Sequence, residues 1–110
     1  MPSEETRYKV MRLLESNPKL SQRDLARELG ISLGRVNFCV RALIGRGWIK
    51  VANFKNSHNK AAYMYLLTPR GMREKGRLTM RFLVSKMSEY EKLRVEIEQM
   101  RREAERERAS

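Results

Sequence analysis

At 110 residues the chain is long enough for one small domain and an appendage. Its 24 Lys and Arg against 13 Asp and Glu leave a net charge of +11, which favours a polyanionic partner, because each cation brought to a phosphate releases counterions. The longest apolar run, Ala61 to Leu67, falls far short of the ~18 residues of a membrane span, and Met1 to Glu5 has neither the basic nor the apolar region of a secretory signal.

In chain order, a first helix is expected to begin after Ser3, with Glu4 and Glu5 at its positive end and Tyr8, Met11 and Leu14 on one face, flanked by Val10 and Leu13. Asn17-Pro18 ends it. Ser21 is a good cap for a second helix, and Asp24 three residues on completes a capping-box pair. Leu25, Ala26 and Leu29 form its inner face, and Gly30 closes it. Ser32 then caps a third helix through Val36, Val40, Leu43 and Ile44, stopped by Gly45 and Gly47.

Trp48 to Ala52 has the pattern of a strand, Asn53 to Lys60 that of a polar loop and Ala61 to Leu67 that of a returning strand. Thr68-Pro69 opens a last helix with no further proline. Run to about Arg108 it would be ~60 Å long. Leu83, Tyr90, Leu93, Ile97, Met100 and Ala104 follow an alternating three-and-four series, with Lys86 in its one polar place, which predicts a coiled-coil seam. The charged tail, Arg101 to Ser110, is expected to fray.

From Leu29 to Arg73, forty-five residues hold no Asp or Glu but eight Lys or Arg: Arg35, Arg41, Arg46, Lys50, Lys55, Lys60, Arg70 and Arg73. A block of one sign makes a field that draws in polyanions. Catalysis is not expected, since no nucleophile and base arrangement or glycine-rich phosphate loop is visible. The single histidine, His58, and single cysteine, Cys39, make no zinc-ligand set, and neither metal nor other cofactor is expected. The lone cysteine excludes an intramolecular disulfide and fits a reducing, cytoplasmic setting. Cys39 falls beside Val36 and Leu43 as a small packing residue, with redox sensing as the alternative.

Helix, helix, helix, strand, loop, strand, long helix is the order of a winged helix-turn-helix. The segment from Ser21 to Ser32 resembles the helix-turn-helix of MarR-type regulators, as do Val36, Val40 and Leu43 followed by Gly47-Trp48-Ile49. Tyr65-Leu66-Leu67-Thr68-Pro69-Arg70-Gly71 is similar to that family's passage from the last wing strand into the next helix. The resemblance covers residues 5 to about 75 and is closest to the small group associated with exopolysaccharide gene clusters. Family members carry a further dimerisation helix ahead of the first one seen here, before the point where this sequence begins. Dimerisation is therefore expected of the C-terminal helix, and the usual effector pocket is not expected.

On a helical wheel Val36, Val40 and Leu43 point inward, leaving Gly34, Phe38, Arg41 and Ala42 outward and Arg35 and Asn37 at the edges. Arginine can grip guanine O6 and N7, and asparagine adenine N6 and N7, so Arg35, Asn37 and Arg41 are candidate base readers. The plain alternative is three solvated positions. Phe38 either packs on a thymine methyl or is covered by the wing or a second subunit. Ser32 is a cap and, at a helix N-terminus, a candidate phosphate site. The resemblance adds Ser21, Gln22 and Arg23 as backbone contacts. In the hairpin tip Asn53, Lys55, Asn56, Ser57, His58, Asn59 and Lys60 supply donors and two positive charges without an acid, suited to phosphates or the minor groove.

The expected protein is mainly α with a β-hairpin wing. Residues 1–68 form a winged helix-turn-helix and residues 69–110 a dimerisation helix with a charged tail. The expected partners are double-stranded DNA and a second copy of the chain through Leu83, Tyr90, Leu93, Ile97 and Met100. The leading function is a dimeric, sequence-specific transcription regulator on a pseudo-palindromic operator. A nonspecific architectural DNA-binding protein and a protein-binding adaptor are its rivals.

Overall fold

The computed structural model describes residues 1–55 and 61–110, without the side chains of residues 54, 55, 61 and 62. Its elements are α1 (Glu4–Ser16), α2 (Gln22–Leu29), α3 (Leu33–Gly45), β1 (Ile49–Lys55), β2 (Ala61–Leu67) and α4 (Pro69–Ala109). Two compact units divide the chain, Met1–Leu78 and Thr79–Ser110. No described helix is long and apolar enough to cross a membrane.

The helix ends follow the expected chemistry. Ser3 Oγ accepts the Thr6 N–H at 3.1 Å, and Ser32 Oγ accepts that of Arg35 at 3.1 Å. Ser21 and Asp24 form a complete capping box, with Ser21 Oγ accepting from Asp24 N at 3.0 Å and Asp24 Oδ2 from Ser21 N at 2.9 Å. Such caps satisfy amides that the helix leaves unpaired, each worth about 1 kcal/mol. Gly30 closes α2 at φ 65°, a left-handed conformation that a side chain would strain.

The core of the first unit is built from one face of each helix. Val10, Met11 and Leu14 of α1, Leu25 of α2, Val36, Cys39, Val40 and Leu43 of α3, Ile49 of β1 and Leu78 of α4 are all buried. Each such aliphatic side chain contributes about 1.5 to 3 kcal/mol on leaving water. Tyr8, Leu13, Ala26 and Leu29, also expected inside, are half-buried.

β1 and β2 pair antiparallel, with Ile49 opposite Leu67, Val51 opposite Tyr65 and Asn53 opposite Tyr63. Ladder bonds therefore extend past Ala52 through Asn53 to Lys55, where a polar loop was expected. Polar residues belong on the solvent side of a hairpin, so composition alone misplaced this boundary. The strand also starts at Ile49 rather than Trp48.

Thr68 joins the hairpin base to α4. Its N–H donates to the Trp48 carbonyl at 3.0 Å, its hydroxyl donates to the Gly47 carbonyl, and Oγ1 accepts the Gly71 N–H at 3.0 Å. Lys75 pairs with Glu15 at 2.9 Å, tying the start of α4 to α1. The far end of α4 departs from expectation, because Arg101 to Ala109 are helical rather than frayed. Glu98 and Arg102 pair one turn apart at 3.6 Å, and Arg106 and Arg108 lie where the helix end is negative.

Candidate nucleic-acid interface

α3 separates cleanly into two faces. Val36, Cys39, Val40 and Leu43 are buried, whereas Leu33, Gly34, Arg35, Asn37, Phe38 and Arg41 are exposed. Phe38 is 55% exposed, so the described wing and neighbouring helices leave its ring open. Ala42, expected outward, is half-buried. The outward surface of this helix thus carries two guanidinium groups, an amide and an aromatic ring, with no carboxylate.

The α2 residues divide by role. Ser21 caps the helix, and Arg23 is exposed. Gln22, half-buried, lies between two partners that local spacing does not reveal. Its Nε2 donates to the Tyr65 hydroxyl at 3.2 Å, and its Oε1 accepts from Asn37 Nδ2 at 3.1 Å. Asn37 and Gln22, chosen separately from the sequence, are therefore one connected group with Tyr65, which the sequence did not single out.

In the wing, Asn53 is exposed on β1. Lys55 ends the same strand, its side chain beyond description, and Asn56, Ser57, His58, Asn59 and Lys60 lie outside the described residues. Of the proposed dimerisation set, Leu83, Tyr90, Leu93, Ile97 and Met100 are all exposed on α4. Met80, Val84 and Met87 form a second exposed apolar row that the three-and-four series omits.

The remaining basic residues are partly structural. Arg46 sits over the Trp48 ring at 5.8 Å, and Arg7 over the same ring at 5.4 Å. Arg7 is buried, with Glu4 at 3.7 Å, and its stem fills space between α1 and the hairpin base. The sequence carried no sign of this, because Arg7 and Trp48 are distant along the chain. Cys39 is buried and free, and burial pushes its thiol up to about 11. A thiol so protonated is a poor nucleophile, which favours the packing role over redox sensing.

Two carboxylates couple this framework to pH. The Ser21 backbone N–H, then its hydroxyl, hold Asp24 below its ordinary value, and the hydrogen bond from Arg77 does the same for Glu74. A depressed folded value adds stability above the ordinary carboxylate range, lost as pH falls through the folded value. Denaturant midpoints should therefore fall as pH is lowered below about 4, and the fall should be shallower in Glu74→Gln than in the wild type. Equal slopes in a pH series of urea titrations would contradict the assignment.

Among the described residues no three His, Cys, Asp or Glu side chains are grouped as a metal site would need. Residues 3–50 match the family of winged helix-turn-helix DNA-binding domains. No curated protein sequence matches the chain. Among solved structures it is similar to the adhesin competence repressor of Streptococcus pyogenes, at 22% identity and TM-score 0.60 over 80% of this chain and 63% of that one. It is also similar to MarR of Staphylococcus aureus, solved with salicylate and kanamycin, at 15% identity and TM-score 0.60 over 78% of this chain and 56% of that one. A MarR-family regulator of a Rhodococcus species aligns at 18% identity and TM-score 0.63 over 78% and 59% of the two chains. The chain thus spans about three-fifths of the length of these neighbours, which are transcriptional regulators rather than enzymes. The chain has the fold of the MarR-family transcriptional regulators, and its residues 3–50 are similar to winged helix-turn-helix DNA-binding domains.

Proposed function

We propose that the protein is a sequence-specific DNA-binding transcription regulator that acts as a dimer on a pseudo-palindromic operator. The carrying observation is the outward face of α3, where Arg35, Asn37, Phe38 and Arg41 stand exposed on a helix packed against α2. A major groove admits one α-helix, and these side chains match its edges: guanidinium to guanine, amide to adenine, ring to thymine methyl. Ser21, Arg23 and Ser32 lie at helix N-termini suited to phosphates. Asn53 with Lys55, Asn56, His58 and Lys60 would follow the adjacent backbone from the wing.

The alternating apolar series of α4 supports pairing of two copies through Leu83, Tyr90, Leu93, Ile97 and Met100. Two-fold symmetry then places half-sites one or more helical turns apart. The resemblance to the exopolysaccharide-associated group makes promoters of such genes the first targets to test.

Arg41→Ala tests the groove assignment. The expected loss is roughly 1 to 3 kcal/mol of preference at one base position, read by titrating labelled duplexes that carry each single base change. Uniform weakening on every duplex would instead make Arg41 a phosphate contact.

A further inference from the structure

The geometry points to Tyr65 as a positioning residue for base reading: its hydroxyl holds the Gln22 side chain in place, which in turn restrains the amide of Asn37. The inference rests on the reading of α3 as the groove-entering helix and adds a residue of the wing strand that itself touches no base.

Tyr65 and Gln22 are both anchored. Tyr65 lies in β2 opposite Val51, and its backbone N–H donates to the Pro18 carbonyl at 3.1 Å, so the phenol is held against the turn that leads into α2. Gln22 is the first residue of α2, directly after the Ser21 and Asp24 capping box. Between these fixed points Gln22 Nε2 donates to Tyr65 Oη at 3.2 Å, which leaves Oε1 facing Asn37 Nδ2 at 3.1 Å.

The consequence for Asn37 follows from counting donors. A side-chain amide has two N–H donors and one carbonyl acceptor. With one N–H given to Gln22, Asn37 keeps one donor beside its Oδ1 acceptor. That pair complements adenine, whose N7 accepts and whose N6 donates in the major groove. Without the phenol hydroxyl the Gln22 side chain loses its fixed partner, and the Asn37 amide is no longer held in the one place from which its donor and acceptor pair meets the base edge. Adenine selectivity therefore depends on Tyr65 through two hydrogen bonds rather than through contact.

The test uses the full chain and single-base variants of the duplex it selects from a random pool. One A·T pair should be preferred by about five- to hundredfold, and Asn37→Ala should abolish that preference. Tyr65→Phe should lose most of the discrimination at that same pair, while every other position and the affinity for unrelated duplex stay within about twofold. The double variant should be no worse at that pair than Asn37→Ala. Gln22→Leu, which breaks the relay at its centre, should lose the same discrimination at that pair. Unchanged selectivity in Tyr65→Phe, or equal loss at all positions, overturns the relay while leaving groove reading intact. A wild-type chain that binds duplex without base preference, or not at all, overturns the groove reading and the relay together.

Discussion

With Leu93 and Ile97 both changed to aspartate, the chain is expected to sediment as a monomer at micromolar concentration and to bind its operator at least a hundredfold more weakly. The reason lies in the exposure of the α4 seam. Tyr90 is 67% exposed, Leu93 54%, Ile97 43% and Met100 60%, although their three-and-four spacing keeps them on one stripe. Fully burying such a side chain contributes about 1.5 to 3 kcal/mol; with roughly half of each still to be covered, four on each of two helices supply roughly 6 to 12 kcal/mol, comparable with the ~8 kcal/mol of a micromolar complex before ordering costs are subtracted. Two carboxylates in the seam reverse the sign, since each must leave water without a partner. The melting of residues 1–78 should be unchanged, because both substitutions lie in the second unit. A dimer that survives the double change would place the subunit contact elsewhere, with the row of Met80, Val84 and Met87 as the next candidate.

Gly71→Ala is expected to destabilise the first unit by about 3 kcal/mol, the upper end for overpacking a core, and to lower its melting temperature by ~12 to 24 °C. A Cβ at Gly71 would lie 1.8 Å from the Trp48 carbonyl oxygen and 2.8 Å from its carbon. Both atoms are backbone and cannot swing aside. That same oxygen accepts the Thr68 N–H at 3.0 Å, so yielding to the methyl would also loosen the bond that joins the hairpin to α4. Gly76→Ala is the matched control, since nothing lies within 4 Å of its added Cβ. There the exchange should stabilise by about 0.5 to 1 kcal/mol, through the usual helix preference for alanine. Thermal unfolding of both variants at one protein concentration checks the pair, and similar melting temperatures would refute the packing account.

The elements that depend on neighbours in sequence were legible beforehand. Ser3, Ser21 with Asp24, Ser32 and Thr68 all cap the helices expected of them, because capping uses residues three apart. The inward face of α3 followed from helical periodicity alone. What escaped was nonlocal. Helical spacing did not mark Arg7, and only the Trp48 ring, which the fold brings to it, makes its burial sensible. Gln22, Asn37 and Tyr65 become one group only when α2, α3 and β2 meet. Gly71 belonged to a familiar phrase, but its physical reason appears only with the Trp48 carbonyl beside it. The C-terminal tail misled for another cause. Its density of charge suggested fraying, although Arg101 to Ala109 contain no glycine or proline, and helix-forming residues with the Glu98–Arg102 pair sustain the helix.

Selection of bound fragments from a random pool of duplex DNA, using the full chain, tests the central claim most directly. The expected result is a short pseudo-palindrome whose half-sites lie whole helical turns apart, with affinity that falls steeply as salt is raised. Recovery of unrelated fragments with equal affinity would contradict it and would instead favour a nonspecific architectural role built on the +11 charge.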